Sequence, residues 1–208
     1  MIIFATLGFD EKFILRDILR RGIKEEAKLL VFTSSADFRV EDAFTTLKTT
    51  FMSMPLKIEK YTINIEDPFS AISEIRNIIL ENIKGQSEII FNLSGGQRIL
   101  LSYIFSVIAS ERINCEIVMI SEDSSFQVSL PSKIFFAKQI DPISLEIVKM
   151  LKEEPLKAGE IIKKLGGEKA VGRTTVWRRL KELMKEGIVE YDNETKRYKL
   201  TNMGFALF

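Results

Sequence analysis

The sequence predicts an α/β protein in two parts, a Rossmann-like, mainly parallel sheet followed by a small winged helix-turn-helix. Short apolar runs alternate with helical segments up to about residue 137, which is typical of parallel strands joined by helical crossovers. After residue 143, helical segments precede two short β runs, the element order of a winged helix. The polar joint between the two patterns ends in Asp141-Pro142, which disfavours a continuing helix. We therefore expect domains over residues 1–138 and 143–208, with a linker over 139–142.

Five apolar runs account for the predicted sheet of the first domain. We expect these strands at residues 2–7, 29–33, 57–63, 88–93 and 116–121. Helices are expected between them at residues 11–21, 41–53, 69–83 and 97–110. Two further short strands are expected at residues 126–130 and 134–137. With right-handed crossovers, the first strand would lie beside the fourth at the centre of the sheet.

The second domain divides into three helical segments and a hairpin. The helices are expected at residues 143–152, 158–165 and 173–186, and the β runs at 188–191 and 197–200. The second helix stops at Gly166-Gly167, a helix terminator followed by a turn. This arrangement is a helix-turn-helix followed by a β wing.

The third helix of this domain has an apolar and a polar side. Val176, Leu180, Leu183 and Met184 recur at helical spacing and define the core side, and Trp177 is also expected in the core. The residues expected to contact DNA lie on the other side and in the wing: Arg173, Thr174, Thr175, Arg178, Lys181, Lys185, Lys196 and Arg197. Hydroxyls and an arginine at the start of a helix suit base edges in a major groove. A charged helix face is often only solvated, but the complete order of elements favours binding to double-stranded DNA.

The charge distribution and the composition exclude several classes of protein. The net charge is +1, yet residues 163–185 carry eight basic and two acidic side chains. With one cysteine and no histidine, the chain forms neither an internal disulfide nor an ordinary zinc site, and it lacks Ser-His and Cys-His catalysis. The longest apolar stretch, residues 99–109, is shorter than the about 20 residues that a membrane span needs. We expect a cytoplasmic protein with no metal, no cofactor and no membrane partner.

The string Asn-Leu-Ser-Gly-Gly-Gln-Arg at residues 92–98 contains the LSGGQ signature of ABC-type ATPases. Such an ATPase also needs a GxxxxGK[ST] loop to bind the phosphates. Neither Gly-Lys-Ser nor Gly-Lys-Thr occurs in this chain. The sequence therefore does not predict an ATPase.

Two glycine turns follow strands that are predicted to be neighbours. The turn at residues 94–96 lies between a strand and a helix, where backbone N–H groups approach a ligand closely, and Arg98 adds a charge suited to phosphate. The first strand ends in a comparable turn at Gly8 and Phe9, so both turns would face one crevice. Glycines in a single turn often serve only tight packing. Two such turns on adjacent strands favour a site for a phosphorylated ligand.

The order of these motifs resembles the CARF-domain transcription regulators of archaeal, Csa-type CRISPR systems. A glycine turn follows strand one, Asn-Leu-Ser-Gly-Gly follows strand four, and a winged helix comes later in the chain. The resemblance covers essentially the whole chain, although the family often carries Thr at the position of Ser94. Residues 173–192 also resemble the recognition helix and wing of archaeal winged-helix regulators.

The resemblance implies a homodimer formed through the first domains, with a cleft on the two-fold axis for a cyclic oligoadenylate. Cyclic tetra-adenylate is the first candidate for this effector. The residues that the resemblance assigns to the cleft are Gly8, Phe9, Ser94, Gly95, Gly96, Gln97 and Arg98. The predicted function is that of a ligand-responsive dimeric transcription regulator of CRISPR-associated genes that binds promoter DNA, and not of an enzyme.

Two alternatives to this function stay open at the level of the sequence. The first is a metal-independent ring nuclease that cleaves the cyclic oligoadenylate, in which a ribose 2′-OH attacks and Ser94 and Arg98 assist by positioning and charge stabilisation. The chain offers no dedicated base for this reaction. The second alternative is a regulator that responds to another phosphorylated metabolite.

Overall fold

The computed structural model of the chain describes residues 1–208 except 24–25, 35–36, 137–139 and 167–171. It divides into two compact units, Met1–Phe136 and Ala137–Phe208. The predicted linker begins at Gln139, which lies outside the described residues, whereas Asp141 caps the first helix of the second unit.

A six-stranded sheet forms the centre of the first unit. Its strands are β1 (Ile2–Thr6), β2 (Ala27–Thr33), β3 (Leu56–Thr62), β4 (Ile89–Asn92), β5 (Glu116–Ile120) and β6 (Gln127–Pro131). Their order is β3-β2-β1-β4-β5-β6, with the first five parallel and β6 antiparallel to β5. The predicted Rossmann-like sheet with strand one beside strand four is therefore confirmed.

Helices cover both faces of this sheet, because its parallel strands are apolar on both sides. The helices of the first unit are α1 (Lys12–Arg21), α2 (Phe38–Thr50), α3 (Pro68–Asn82) and α4 (Arg98–Ser110). One core lies between the sheet and the apolar sides of α1 and α2. The other lies against α3 and α4, where the rings of Phe4 and Phe91 stack with centroids 4.7 Å apart.

The strand predicted at residues 134–137 is wrong. Residues Ser132–Phe135 form a short 3₁₀ helix, and Ala137 lies outside the described residues. The buried Ser132 hydroxyl explains the difference. It donates to the carbonyl of Ile113 at 2.6 Å and accepts from the backbone N–H of Cys115 at 2.9 Å. A side chain therefore makes the hydrogen bonds to these backbone groups that the backbone of a neighbouring strand would otherwise make.

The second unit consists of helices and a two-stranded hairpin. Its elements are α5 (Pro142–Glu153), α6 (Ala158–Leu165), α7 (Arg173–Lys185), β7 (Val189–Asp192), β8 (Arg197–Leu200) and α8 (Asn202–Leu207). The strands β7 and β8 pair antiparallel, and the apolar sides of α5, α6 and α7 pack with them into one core. The predicted helix-turn-helix and wing are confirmed, although the turn residue Gly167 lies outside the described residues.

The final helix, α8, was not predicted. The Thr201 hydroxyl accepts from the N–H of Gly204 at 3.0 Å and caps the helix. A Cβ atom at Gly204 would lie 2.2 Å from the carbonyl oxygen of Ile188, so only glycine allows α8 to pack this closely. In the part of the chain that the structure describes, no helix combines the length and the apolar character that crossing a bilayer requires.

Candidate functional site

The two glycine turns meet at the carboxyl ends of β1 and β4. A Cβ atom on Gly8 would lie 3.1 Å from the backbone nitrogen of Gly96, and one on Gly95 would lie 2.9 Å from the carbonyl oxygen of Thr6. Gly96 also has a left-handed φ of +81°, which glycine adopts without strain. The structure thus brings the two turns together as predicted, and their mutual packing by itself requires the glycines.

The Ser94 hydroxyl is used inside the protein. It donates to the Asn92 side-chain oxygen at 2.7 Å and accepts from the backbone N–H of Ile120 at 3.0 Å. Ser94 therefore ties its turn to the end of β5, and this double engagement indicates a structural role for its oxygen.

A chain of polar side chains that the sequence reading missed continues from Asn92 into the unit. The amide of Asn92 donates to the carboxylate of Asp17 at 3.2 Å, and both residues are only 1% exposed. Arg21 donates to Asp17 at 2.9 Å and to Glu116 at 3.0 Å. Arg21 is thus mostly buried and paired with two carboxylates. One feature of the sequence could have indicated this network. Asp17 is an acidic residue on the apolar side of α1, between Phe13 and Ile18.

The charges in this network stabilise one another. Burial opposes ionisation of Arg21, but the carboxylates of Glu116 and Asp17 hold the pKa of its guanidinium above the usual value. Burial likewise favours protonated Glu116, but hydrogen bonds from Arg21 and Ser129 hold the pKa of that carboxyl below its usual value. These paired charges hold Asn92 in place, and Asn92 in turn bonds the Ser94 hydroxyl of the turn.

The remaining residues predicted to bind the effector lie at the rim of the two turns. Arg98 is the first residue of α4; it is exposed and has no ion pair among the described residues. Gln97 caps α4 without a hydrogen bond from its side chain. Phe9 is 57% exposed, and the guanidinium of Arg39 lies 3.7 Å above its ring. The sequence reading missed Arg39, whose guanidinium is held by hydrogen bonds to Asp37.

Below the two turns lies a buried hydroxyl that has no hydrogen-bond partner in the described part of the chain. It belongs to Thr6, the last residue of β1, which is fully buried. A Cβ atom on Gly96 would approach the Cβ of Thr6 to 3.3 Å, so the turn lies directly over this residue. The two glycine turns thus cover a buried threonine, and the exposed Arg98 lies beside them at the start of α4.

The polar side of α7 lies in solvent, as its pattern predicts. Most of the residues predicted to contact DNA there are exposed, and Thr175 is half-buried. Among the described residues, none of the four cations of this surface forms an ion pair: Arg173, Arg178, Lys181 and Lys185. Arg179, in contrast, donates to Glu182 at 2.7 Å and lies 3.4 Å from Asp141.

Two residues of α7 that were expected in the core are exposed. Trp177 is 44% exposed and Met184 is 40% exposed. The core positions are Val176, Leu180 and Leu183, spaced by four and three residues. The predicted burial of Trp177 is wrong because position 177 lies off this stripe.

The two predicted DNA contacts of the wing differ in their surroundings. Lys196 is exposed in the turn and has a left-handed φ of +57°. Arg197 donates to the carbonyl of Pro155 at 2.7 Å, and its guanidinium lies 3.8 Å from Glu160. Their contact with DNA stays a prediction.

Acids and the single thiol form no group that could hold a metal ion within the described ranges. Cys115 is buried, and burial raises the pKa of its thiol to about 11. The thiol is therefore protonated at neutral pH and is a poor nucleophile or metal ligand.

Two of the solved structures that resemble this chain have low sequence identity to it. One is the structure of Can2 from Sulfobacillus thermosulfidooxidans in complex with cyclic tetra-adenylate, with 11% identity and a TM-score of 0.46. The other is the crystal structure of protein VC1899 from Vibrio cholerae, with 12% identity and a TM-score of 0.49. Each likeness covers 99% of this chain but only 63% and 64% of those chains. No curated protein matches the chain.

Family profiles match both units. The profile of the arsR family of bacterial regulatory proteins matches residues 141–191, which include α5, α6 and α7. The profile of the Csa3 CRISPR-associated Rossmann-like domain matches residues 1–131, which include the whole six-stranded sheet and both glycine turns. The chain therefore belongs to the Csa3 family of CRISPR-associated Rossmann-like domain proteins, here joined to an ArsR-type helix-turn-helix.

Proposed function

We propose that the chain is a transcription regulator of CRISPR-associated genes that binds promoter DNA as a homodimer. The observation that carries this proposal is the cationic surface of α7, which forms no ion pair among the described residues, within an arsR-type unit. Cations that have no protein partner are available for phosphates, and binding them releases counterions from DNA. Family membership of the first unit supports the link to CRISPR-associated genes.

In this proposal α7 enters the major groove. Thr174 and Arg178 lie in its first half, where the recognition helices of related motifs contact base edges, and Lys181 and Lys185 follow toward phosphates. The other proposed contacts are Arg173, Thr175 and the wing residues Lys196 and Arg197. A two-fold dimer would present two copies of α7 to half-sites about 34–36 Å apart, so the operator would be pseudo-palindromic.

The proposed effector is a cyclic oligoadenylate bound over the two glycine turns. Three features support this site: the close glycine turns, the N-terminus of α4, and Arg98, which has no ion pair in the described part of the chain. Gly8, Phe9 and Gln97 lie at the same edge of the sheet. An effector with two-fold symmetry would contact both protomers equally. It would regulate DNA binding only through a difference in affinity between two states of the dimer.

A regulator accounts for the chain better than an enzyme does. The Csa3 domain is joined to a helix-turn-helix, and the Ser94 hydroxyl is engaged by Asn92 and Ile120. In our proposal the protein therefore binds the effector without cleaving it. To test for cleavage, cyclic tetra-adenylate is incubated with the protein and a chelator. The appearance of linear products would show that the protein cleaves the ring.

Calorimetric titration with cyclic tetra-adenylate tests the proposed effector, with linear tetra-adenylate as the control ligand. We expect tight binding of one ring per two chains and much weaker binding of the linear form. Arg98→Ala should abolish the binding of the ring and leave DNA binding intact, and Arg20→Ala, an exposed arginine on α1, should change neither. DNA binding without ring binding would overturn this effector and favour another phosphorylated metabolite. No DNA binding would overturn the regulator itself.

A further inference from the structure

An exposed indole lies within the cationic surface of α7. Trp177 is 44% exposed and lines a shallow groove with Thr174, Arg178, Lys181 and Lys185. Most of the lining surface of this groove is apolar. A large apolar ring among four polar residues of a solvent-facing helix has a cost in water, because its exposed surface is not hydrated favourably.

The position of the indole is fixed by the wing. Its ring packs edge-on against Tyr198, with centroids 6.3 Å apart and an interplanar angle of 80°. Tyr198 is only 5% exposed and contacts Tyr191, with centroids 4.8 Å apart. One side of Trp177 is thus held by the buried ring of Tyr198, while the rest of the indole faces solvent. A ring held in this way loses little conformational entropy when it binds a partner.

The surroundings of the indole select an anionic partner. Arg173, Arg178, Lys181 and Lys185 have no ion pair among the described residues. Glu182, the acid of this groove, is held by Arg179 at 2.7 Å. The partner must therefore bring negative charges around an apolar group at the centre. The major groove of DNA has this composition, because phosphates flank the 5-methyl groups of thymines.

We propose that Trp177 reads a thymine methyl group in the major groove and is a specificity-determining residue of α7. The inference rests on the proposed DNA binding. Phosphate contacts from the surrounding cations position the helix, and the apolar contact of Trp177 distinguishes thymine from bases that lack the methyl group.

Removal of the methyl group from the DNA provides the test. A duplex is selected from a random-sequence pool by the wild-type full-length chain and then prepared with uracil at every thymine. We expect about fourfold weaker binding of the uracil duplex for each methyl contacted, the fold-change that corresponds to about 0.8 kcal/mol per buried methyl. Trp177→Ala should bind the thymine duplex more weakly and show no further loss with uracil. Met184→Ala changes a comparably exposed residue of α7 and should keep the wild-type ratio of the affinities for the thymine and uracil duplexes.

Fluorescence gives a direct readout, since Trp177 is the single tryptophan of the chain. Quenching of its emission by acrylamide should fall when the thymine duplex is bound. Two results would overturn the inference while DNA binding stands. In the first, the wild type binds the thymine and uracil duplexes equally well. In the second, the ratio of the affinities for the two duplexes is the same in Trp177→Ala as in the wild type. A chain that selects no duplex would overturn both this inference and the proposed function. Thermal unfolding of Trp177→Phe shows whether the contact with Tyr198 also contributes to stability, a role that does not change the uracil ratio.

Discussion

The turn at the end of β4 and the exposed side of α7 are both rich in polar residues, but they use these residues differently. In the turn, Ser94 and Asn92 are bonded to other parts of the first unit. On α7, Arg178 and Lys181 have no ion pair among the described residues. A polar residue in a motif therefore does not identify a ligand contact until its bonds within the protein are known.

Arg21 and Arg178 differ in how much their removal should cost in folding free energy. Arg21 is 18% exposed and pairs with two carboxylates, so its removal would leave the buried carboxylate of Asp17 without its cation. Arg178 is exposed, so its removal should cost little in folding. We therefore expect changes in the turn network to affect stability and changes on α7 to affect binding.

The largest expected effect is on stability. Asp17→Ala should reduce the free energy of unfolding by about 3 kcal/mol, because Arg21 and Asn92 lose a buried partner. Urea unfolding followed by far-UV circular dichroism measures this loss. Asp42→Ala, an exposed aspartate on α2, is the matched control and should stay within about 0.5 kcal/mol of the wild type. Equal stability of the two variants would show that the network does not hold the turn.

A smaller effect is expected on binding. Arg178→Ala should weaken binding to the selected duplex by about 1–3 kcal/mol, because it removes the proposed contact with a base edge. Fluorescence anisotropy at fixed salt measures the affinity, and urea unfolding should show unchanged stability. Arg20→Ala serves as the control for the loss of one positive charge. If Arg178→Ala binds like the wild type, α7 is not the recognition helix.

The smallest expected effect concerns two buried threonines. Thr6→Val should leave the free energy of unfolding unchanged or raise it by up to about 1 kcal/mol, because the hydroxyl of Thr6 has no partner among the described residues. Thr33→Val should instead lower it by about 1 kcal/mol, because the hydroxyl of Thr33 donates to Thr62 at 3.2 Å. Differential scanning calorimetry compares the two variants. A clear loss of stability in Thr6→Val would reveal a polar partner under the glycine turns.

Local patterns predicted most of the architecture. The alternation of apolar runs and helices predicted the sheet order, because parallel strands need crossovers and right-handed crossovers restrict the topology. The Ser132–Phe135 helix and α8 were missed, because Ser132 and Gly204 act through contacts with residues distant in the sequence. Such contacts leave no periodic signal in the chain.

The sequence by itself determined the two-part architecture, the meeting of the glycine turns and the cationic side of α7, since these follow from periodicity and from the order of strands. Only the tertiary structure decided what each polar residue does. It joined Asn92 to Asp17 across 75 positions, and it left Trp177 exposed beside Tyr198. The physical reason is that hydrogen bonds and burial depend on which elements pack together, whereas helical and strand periodicity depends only on near neighbours in the chain.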